Sequence, residues 1–92
     1  MKRFIIERNL PGAGNLTKEE LQNIAQTSCK VVLEMGKGYQ WVESLVTDDK
    51  IICVHIAESE EAIREHAKKG NFPCNSVMEV KAVFGPMTAY QS

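Results

Sequence analysis

The order of hydrophobic periods along the chain most limits what it can fold into. Residues 2–8 carry a short run of strand formers, Phe4-Ile5-Ile6. The following Pro11-Gly12-Ala13-Gly14 stretch removes a backbone donor and permits unusual dihedrals, so it reads as a loop. Thr17-Lys18-Glu19-Glu20 then forms a capping box, and Leu21, Ile24, Ala25, Ser28, Cys29 and Val32 recur at helical spacing. This predicts an amphipathic helix, with those six positions inward and Gly36 as its stop. Residues 39–47 and 50–57 are rich in Tyr, Trp, Val and Ile and are separated by Asp48-Asp49, the pattern of an antiparallel hairpin. Ser59 caps a second helix with Glu60-Glu61 in its first turn, an inner stripe of Ala62, Ile63, His66 and Ala67, and Lys68-Lys69-Gly70 at its end. A last strand is expected over 77–84, closed by Gly85-Pro86.

Strand, helix, strand, strand, helix, strand is the split β-α-β arrangement. The expectation is an α+β, ferredoxin-like βαββαβ domain spanning 1–92, with a four-stranded antiparallel sheet and two helices on one face. The sheet order is then 4-1-3-2. The other face is left bare, and Ile, Val and Met on a bare face call for a cover, which a second copy supplies most simply. The result is a homodimer of the dimeric α+β barrel type.

Length and charge narrow the function. With 92 residues there is room for one domain and not for two. The net charge is −1 and the basic residues are dispersed, which argues against nucleic acid as a partner. No apolar run approaches the roughly 20 residues of a membrane span. The stretch after Met1-Lys2-Arg3 stops at Glu7-Arg8, too early for a signal peptide, so the expected location is cytoplasmic. Three cysteines, Cys29, Cys53 and Cys74, without a Cys-x-x-Cys pair fit reduced thiols better than disulfides or a zinc knuckle.

The hairpin holds the sharpest chemical pair. With a two-residue turn at Asp48-Asp49, Ser44 falls opposite Cys53 and Val42 opposite His55. Ile51, Cys53 and His55 share one face with Val42, Ser44 and Val46; Trp41, Glu43, Leu45, Ile52, Val54 and Ile56 share the other. The second set is bulkier, which places it against the helices. Cys53 and His55 lie roughly 7 Å apart along one strand, and a thiolate and an imidazole suit nickel, copper or zinc. Glu7, alternating with Ile5 and Arg3, is a candidate for the same cavity. The plainer reading makes Cys53 a small hydrophobe.

His66, on the inner edge of the second helix, is the other candidate metal residue, although it lacks a companion at helical metal spacing. The plainer reading is a half-buried His bonded to a backbone carbonyl or a carboxylate; a contact with Glu43 would satisfy both groups, or make an acid–base couple. Trp41 and Tyr39 read as core or interface aromatics, with Trp41, beside Glu43, also a candidate to line a ligand pocket. Gly12-Ala13-Gly14 lacks the phosphate-loop fingerprint, and Asp48-Asp49 reads as turn chemistry. No catalytic residue is assigned.

Five stretches carry a further likeness: Ile6-Glu7-Arg8-Asn9-Leu10-Pro11-Gly12-Ala13-Gly14, Gln40-Trp41-Val42, Val46-Thr47-Asp48-Asp49-Lys50-Ile51, Glu61-Ala62-Ile63-Arg64-Glu65-His66-Ala67 and Gly70-Asn71-Phe72-Pro73. Together they resemble a bacterial family of small domains of unknown function that includes a nickel-binding protein of dimeric ferredoxin-like fold. The resemblance implies a dimer and nickel. The expected function is thus a small homodimeric protein binding nickel or another divalent transition metal. The competing class is a cofactor-free enzyme or small-ligand binder, an isomerase or monooxygenase-like protein by fold analogy, recognised by an enclosed apolar cavity with few polar groups. A structural module with neither is the third.

Overall fold

A computed structural model describes residues 1–91. Strand β1 (Lys2–Asn9) leads through a 3₁₀ turn at Ala13–Asn15 to helix α1 (Lys18–Met35). The hairpin β2 (Gln40–Val46) and β3 (Lys50–Ala57) follows, then helix α2 (Glu60–Gly70), strand β4 (Ser76–Glu79) and a 3₁₀ turn at Pro86–Tyr90. The sheet runs β2-β3-β1-β4 with every neighbouring pair antiparallel. This is the βαββαβ ferredoxin-like arrangement. No helix among the described residues is long and apolar enough to cross a membrane.

Local chemistry accounts for the boundaries. The Thr17 hydroxyl accepts from Glu20 N–H at 3.1 Å while the Glu20 carboxylate accepts from Thr17 N–H at 2.9 Å, closing the capping box. Ser59 accepts from Ala62 N–H at 3.2 Å at the start of α2. Helix α2 runs through Gly70, and Asn71 takes the left-handed cap at φ 56°. Asp48 and Asp49 act as turn residues and also anchor the loop after β1. The Asp49 carboxylate accepts from Gly12 N–H at 2.9 Å, and the Asp48 carbonyl from Gly14 N–H at 2.9 Å.

The expected sheet faces are inverted. In β3 it is Ile51, Cys53, His55 and Ala57 that are buried beneath the helices, joined on β1 by Phe4, Ile6 and Arg8. Ile52, Val54 and Ile56 are only half-buried and look away from the helices. Bulk does not decide the matter, because the helices and the aromatics Phe4 and Tyr39 already fill much of the inner layer. A register shift between Trp41 and Glu43 adds a second correction: Trp41, not Val42, stands opposite His55, while Ser44 pairs with Cys53 as expected. Such a bulge inserts one residue and turns the side chain before it to the other face.

Two further expectations fail. Cys29 is exposed and Val31 takes the inward position, so the buried stripe of α1 rotates towards its C-terminal half. Leu21 remains 37% exposed, at the mouth of a cleft described below. Strand β4 ends at Glu79 rather than 84, and residues 81–91 are exposed throughout. The radius of gyration, 14.3 Å, exceeds the roughly 12 Å expected for this length because that C-terminal arm stands away from the body.

Candidate functional site

Between the sheet and the first half of α1 lies a cleft of about 600 Å³. Its sheet wall presents Arg8, Trp41, Ser44, Cys53 and His55; α1 contributes Leu21, Ile24, Ala25 and Ser28; the segment after α2 contributes Phe72 and Pro73. Trp41, Ser44, Cys53 and Arg8 form one network. Trp41 Nε1–H donates to Ser44 Oγ at 3.0 Å, and Ser44 donates to Cys53 Sγ at 3.0 Å. Arg8 Nε–H donates to the same sulfur at 3.3 Å, and Arg8 Nη1–H to the Pro73 carbonyl at 2.6 Å. The Cys53 sulfur therefore receives two donors, one of them cationic.

Behind this wall the rings are ordered in a column. Tyr39 and His66 stack at 5.1 Å, and His66 and Phe72 at 5.6 Å. The Arg8 guanidinium sits over Phe72 at 5.4 Å, within cation–π range. His55 meets both Tyr39 and His66 edge-on, at 5.4 and 4.8 Å. The Tyr39 hydroxyl and His55 Nδ1 are 2.7 Å apart, and Ser28 Oγ and His66 Nε2 are 3.2 Å apart. Each imidazole is about 1% exposed. Burial, then the neighbouring His66 and Arg8, pushes His55 down to about 3. Burial and Arg8 push His66 down to about 4. Both rings are therefore neutral at pH 7, and burial also raises the Tyr39 phenol, keeping it protonated.

The family model of nickel responsive proteins like SCO4226 matches residues 4–80. The chain belongs to this family. The crystal structure of SCO4226 from Streptomyces coelicolor A3(2) superposes with a TM-score of 0.76 at 15% identity, over 89% of this chain and 99% of that one. At that identity the match to SCO4226 speaks for the fold. A structural-genomics protein, YJCS, aligns over 88% of this chain and 99% of its own at 18% identity, with a TM-score of only 0.39. No curated protein matches.

Within this member of the nickel responsive family, the fold brings together only some of the residues picked out by sequence. Cys53, His55 and Trp41 share the cleft. His66 lies behind His55, outside the lining, and its Nδ1 is buried without a hydrogen-bond partner among the described residues. Glu43 is exposed on the opposite face of the sheet, so the expected Glu43–His66 contact does not form and Ser28 takes its place. Glu7 also lies on that opposite face, paired in register with Ile52 rather than Cys53. It accepts from Ser76 at 3.0 Å and from Lys50 at 3.3 Å, which hold its carboxyl below the usual range. Among the described residues no group of three or more His, Cys, Asp or Glu side chains is placed to hold a metal ion. Arg8, Ser44 and Ser28 were missed. Arg8 alternates with Phe4 and Ile6, so fixing the inner face of β1 would have found it.

Proposed function

We propose that the domain binds a divalent transition metal, with nickel the ion its family points to and Cys53 and His55 as the protein ligands. The observation that carries this reading is that both side chains open on one cleft while Tyr39 engages His55 Nδ1. In the tautomer whose Nδ1–H donates to the phenol oxygen, Nε2 keeps its lone pair for a metal, the usual role of a ligand histidine's outer hydrogen bond. Thiolate and imidazole suit nickel chemically. Two protein donors do not complete a coordination shell, so water or another chain supplies the rest.

Calorimetric titration of untagged protein with nickel tests this. Cys53→Ser and His55→Phe should each weaken binding at least about tenfold, or ~1.4 kcal/mol. His55→Phe keeps the ring packing and removes the donor. Wild-type binding retained in both folded variants, or no binding at all, would overturn the assignment.

The domain is also proposed to work as a homodimer through the open sheet face. Leu45 is 54% exposed there and Met78 50%, beside the half-buried Ile5, Ile52, Val54 and Ile56. Exposed Val83, Phe84, Met87 and Tyr90 on the C-terminal arm add apolar surface. Covering such a face with a standard interface of ~1,600 Å² would remove much of it from water. Light scattering should return the mass of two chains, falling to one in a Leu45→Glu, Met78→Glu double variant. A concentration-independent single-chain mass for the wild type would refute the dimer.

A second reading is favoured by the cleft itself. Its volume lies within the range of small-molecule sites and far exceeds what a bare ion needs. Apolar walls with a few convergent polar groups are the usual make-up of such sites, so a small organic ligand is the alternative occupant.

A further inference from the structure

Among the described residues Arg8 is the one lysine or arginine buried by the fold, with 5% of its surface exposed. A guanidinium stays charged at any working pH, and a buried charge is costly unless paired. Yet the ion pairs among the described residues are Lys50–Glu7, Arg64–Glu60 and Lys81–Glu79, and none includes Arg8. Its Nε and Nη1 donate to the Cys53 sulfur and the Pro73 carbonyl, whereas Nη2 has no protein acceptor among the described residues. Among the described residues Arg8 is the single charged side chain in the lining of the cleft. The Phe72 ring lies against the guanidinium, 5.4 Å from its carbon to the ring centre.

These facts select the ligand. The uncompensated charge calls for an anion, and one cation matches a singly charged one. A phosphate dianion would bring a second negative charge, and no second lysine or arginine lines the cleft among the described residues to meet it. Guanidinium and carboxylate are geometric partners through paired N–H···O bonds. The remaining wall, Leu21, Ile24 and Ile51 with the Trp41 ring, is apolar and suits a hydrocarbon or aromatic body.

We propose that the cleft binds a small organic monocarboxylate with an apolar body, its carboxylate paired with Arg8 and its body lying along Ile24 and Trp41. This deepens the small-ligand reading above and uses no metal.

Metal-free, untagged protein would be titrated calorimetrically with benzoate, phenylacetate and hexanoate, and with the corresponding primary amides. At least one acid should bind ten times more tightly than its amide, and added salt should weaken it. Arg8→Met, which keeps the stem and removes the buried charge, should abolish that preference. Ala25→Trp, which fills the cleft from α1, should abolish binding of acids while leaving Arg8 in place. Circular dichroism confirms that each variant is folded. Equal binding of acids and amides would overturn the carboxylate assignment and leave the small-ligand reading standing. Binding of neither would overturn both. Acid binding that requires added nickel, or that survives in folded Arg8→Met, would remove Arg8 as the anchor. If Arg8→Met does not fold, the acid–amide comparison and Ala25→Trp decide alone.

Discussion

Acidification from pH 7 to pH 5 is expected to strip this domain of most of its stability, well before its carboxylates titrate. His55 and His66 are buried neutral, with folded values near 3 and 4, against about 6.5 in an unfolded chain. Above pH 6.5 neither state holds these protons and the histidines leave stability unchanged. Below it the unfolded chain takes up two protons that the folded chain refuses. Stability then falls by up to ~1.4 kcal/mol per pH unit for each ring, until pH drops to the folded values. At pH 5 the pair together costs roughly 4 kcal/mol on this linkage. A small domain has a margin at the low end of about 5–15 kcal/mol. Glu7 and Glu79 are also held below the ordinary range, by Ser76 and by Lys81 respectively, but they act only below about pH 4.5 and are solvent-facing. Thermal melts between pH 7.5 and 4 should show a midpoint that is flat above 6.5 and falls steeply beneath it. His55→Phe should roughly halve that slope. A wild-type midpoint unchanged between pH 6.5 and 5 would contradict the neutral burial of both rings.

Gly70→Ala should destabilise the domain by about 1–3 kcal/mol, the cost of overpacking a filled site. Elsewhere a helical Gly→Ala exchange is stabilising, because alanine has the better helix propensity. Here a Cβ would run into the Phe72 ring. That ring has little room to give way, since His66 stacks against it and the Arg8 guanidinium lies over it. The substitution therefore disturbs the wall of the cleft as well as the helix end. Denaturant unfolding measures the loss directly, and a neutral or stabilising result would mean that Phe72 is free to move. Gly36→Ala also costs stability, for a different reason: Gly36 has φ 82° and open space around it, so strain rather than collision is the penalty.

The sequence by itself determined the elements and their order. Capping at Thr17 and Ser59, the 3.6-residue stripe of α2 and the Asp48-Asp49 turn are local chemistry, and local chemistry is legible along one chain. Chirality of the crossovers then left one sheet order, the observed one. A period of two also states reliably which residues of β3 share a face: Ile51, Cys53 and His55 do. It says nothing about which face is covered, since that depends on what the helices bring to the interface. Here α1 and α2 sit over the polar-bearing side, so Arg8, Cys53 and His55 are buried while Ile52, Val54 and Ile56 look outward. The bulge between Trp41 and Glu43 was equally hidden, because one extra residue in a strand leaves no mark on composition, yet it decides that Trp41 joins the cleft and Glu43 does not. Site partners more than thirty positions apart, such as Ser28 with His66 and Arg8 with Cys53, exist only once packing has brought α1, α2 and the sheet together. Sequence periodicity specifies neighbours within an element; the choice of neighbours between elements belongs to the tertiary fold, where burial of one face must be reconciled with a hydrogen-bond partner for the polar groups it encloses.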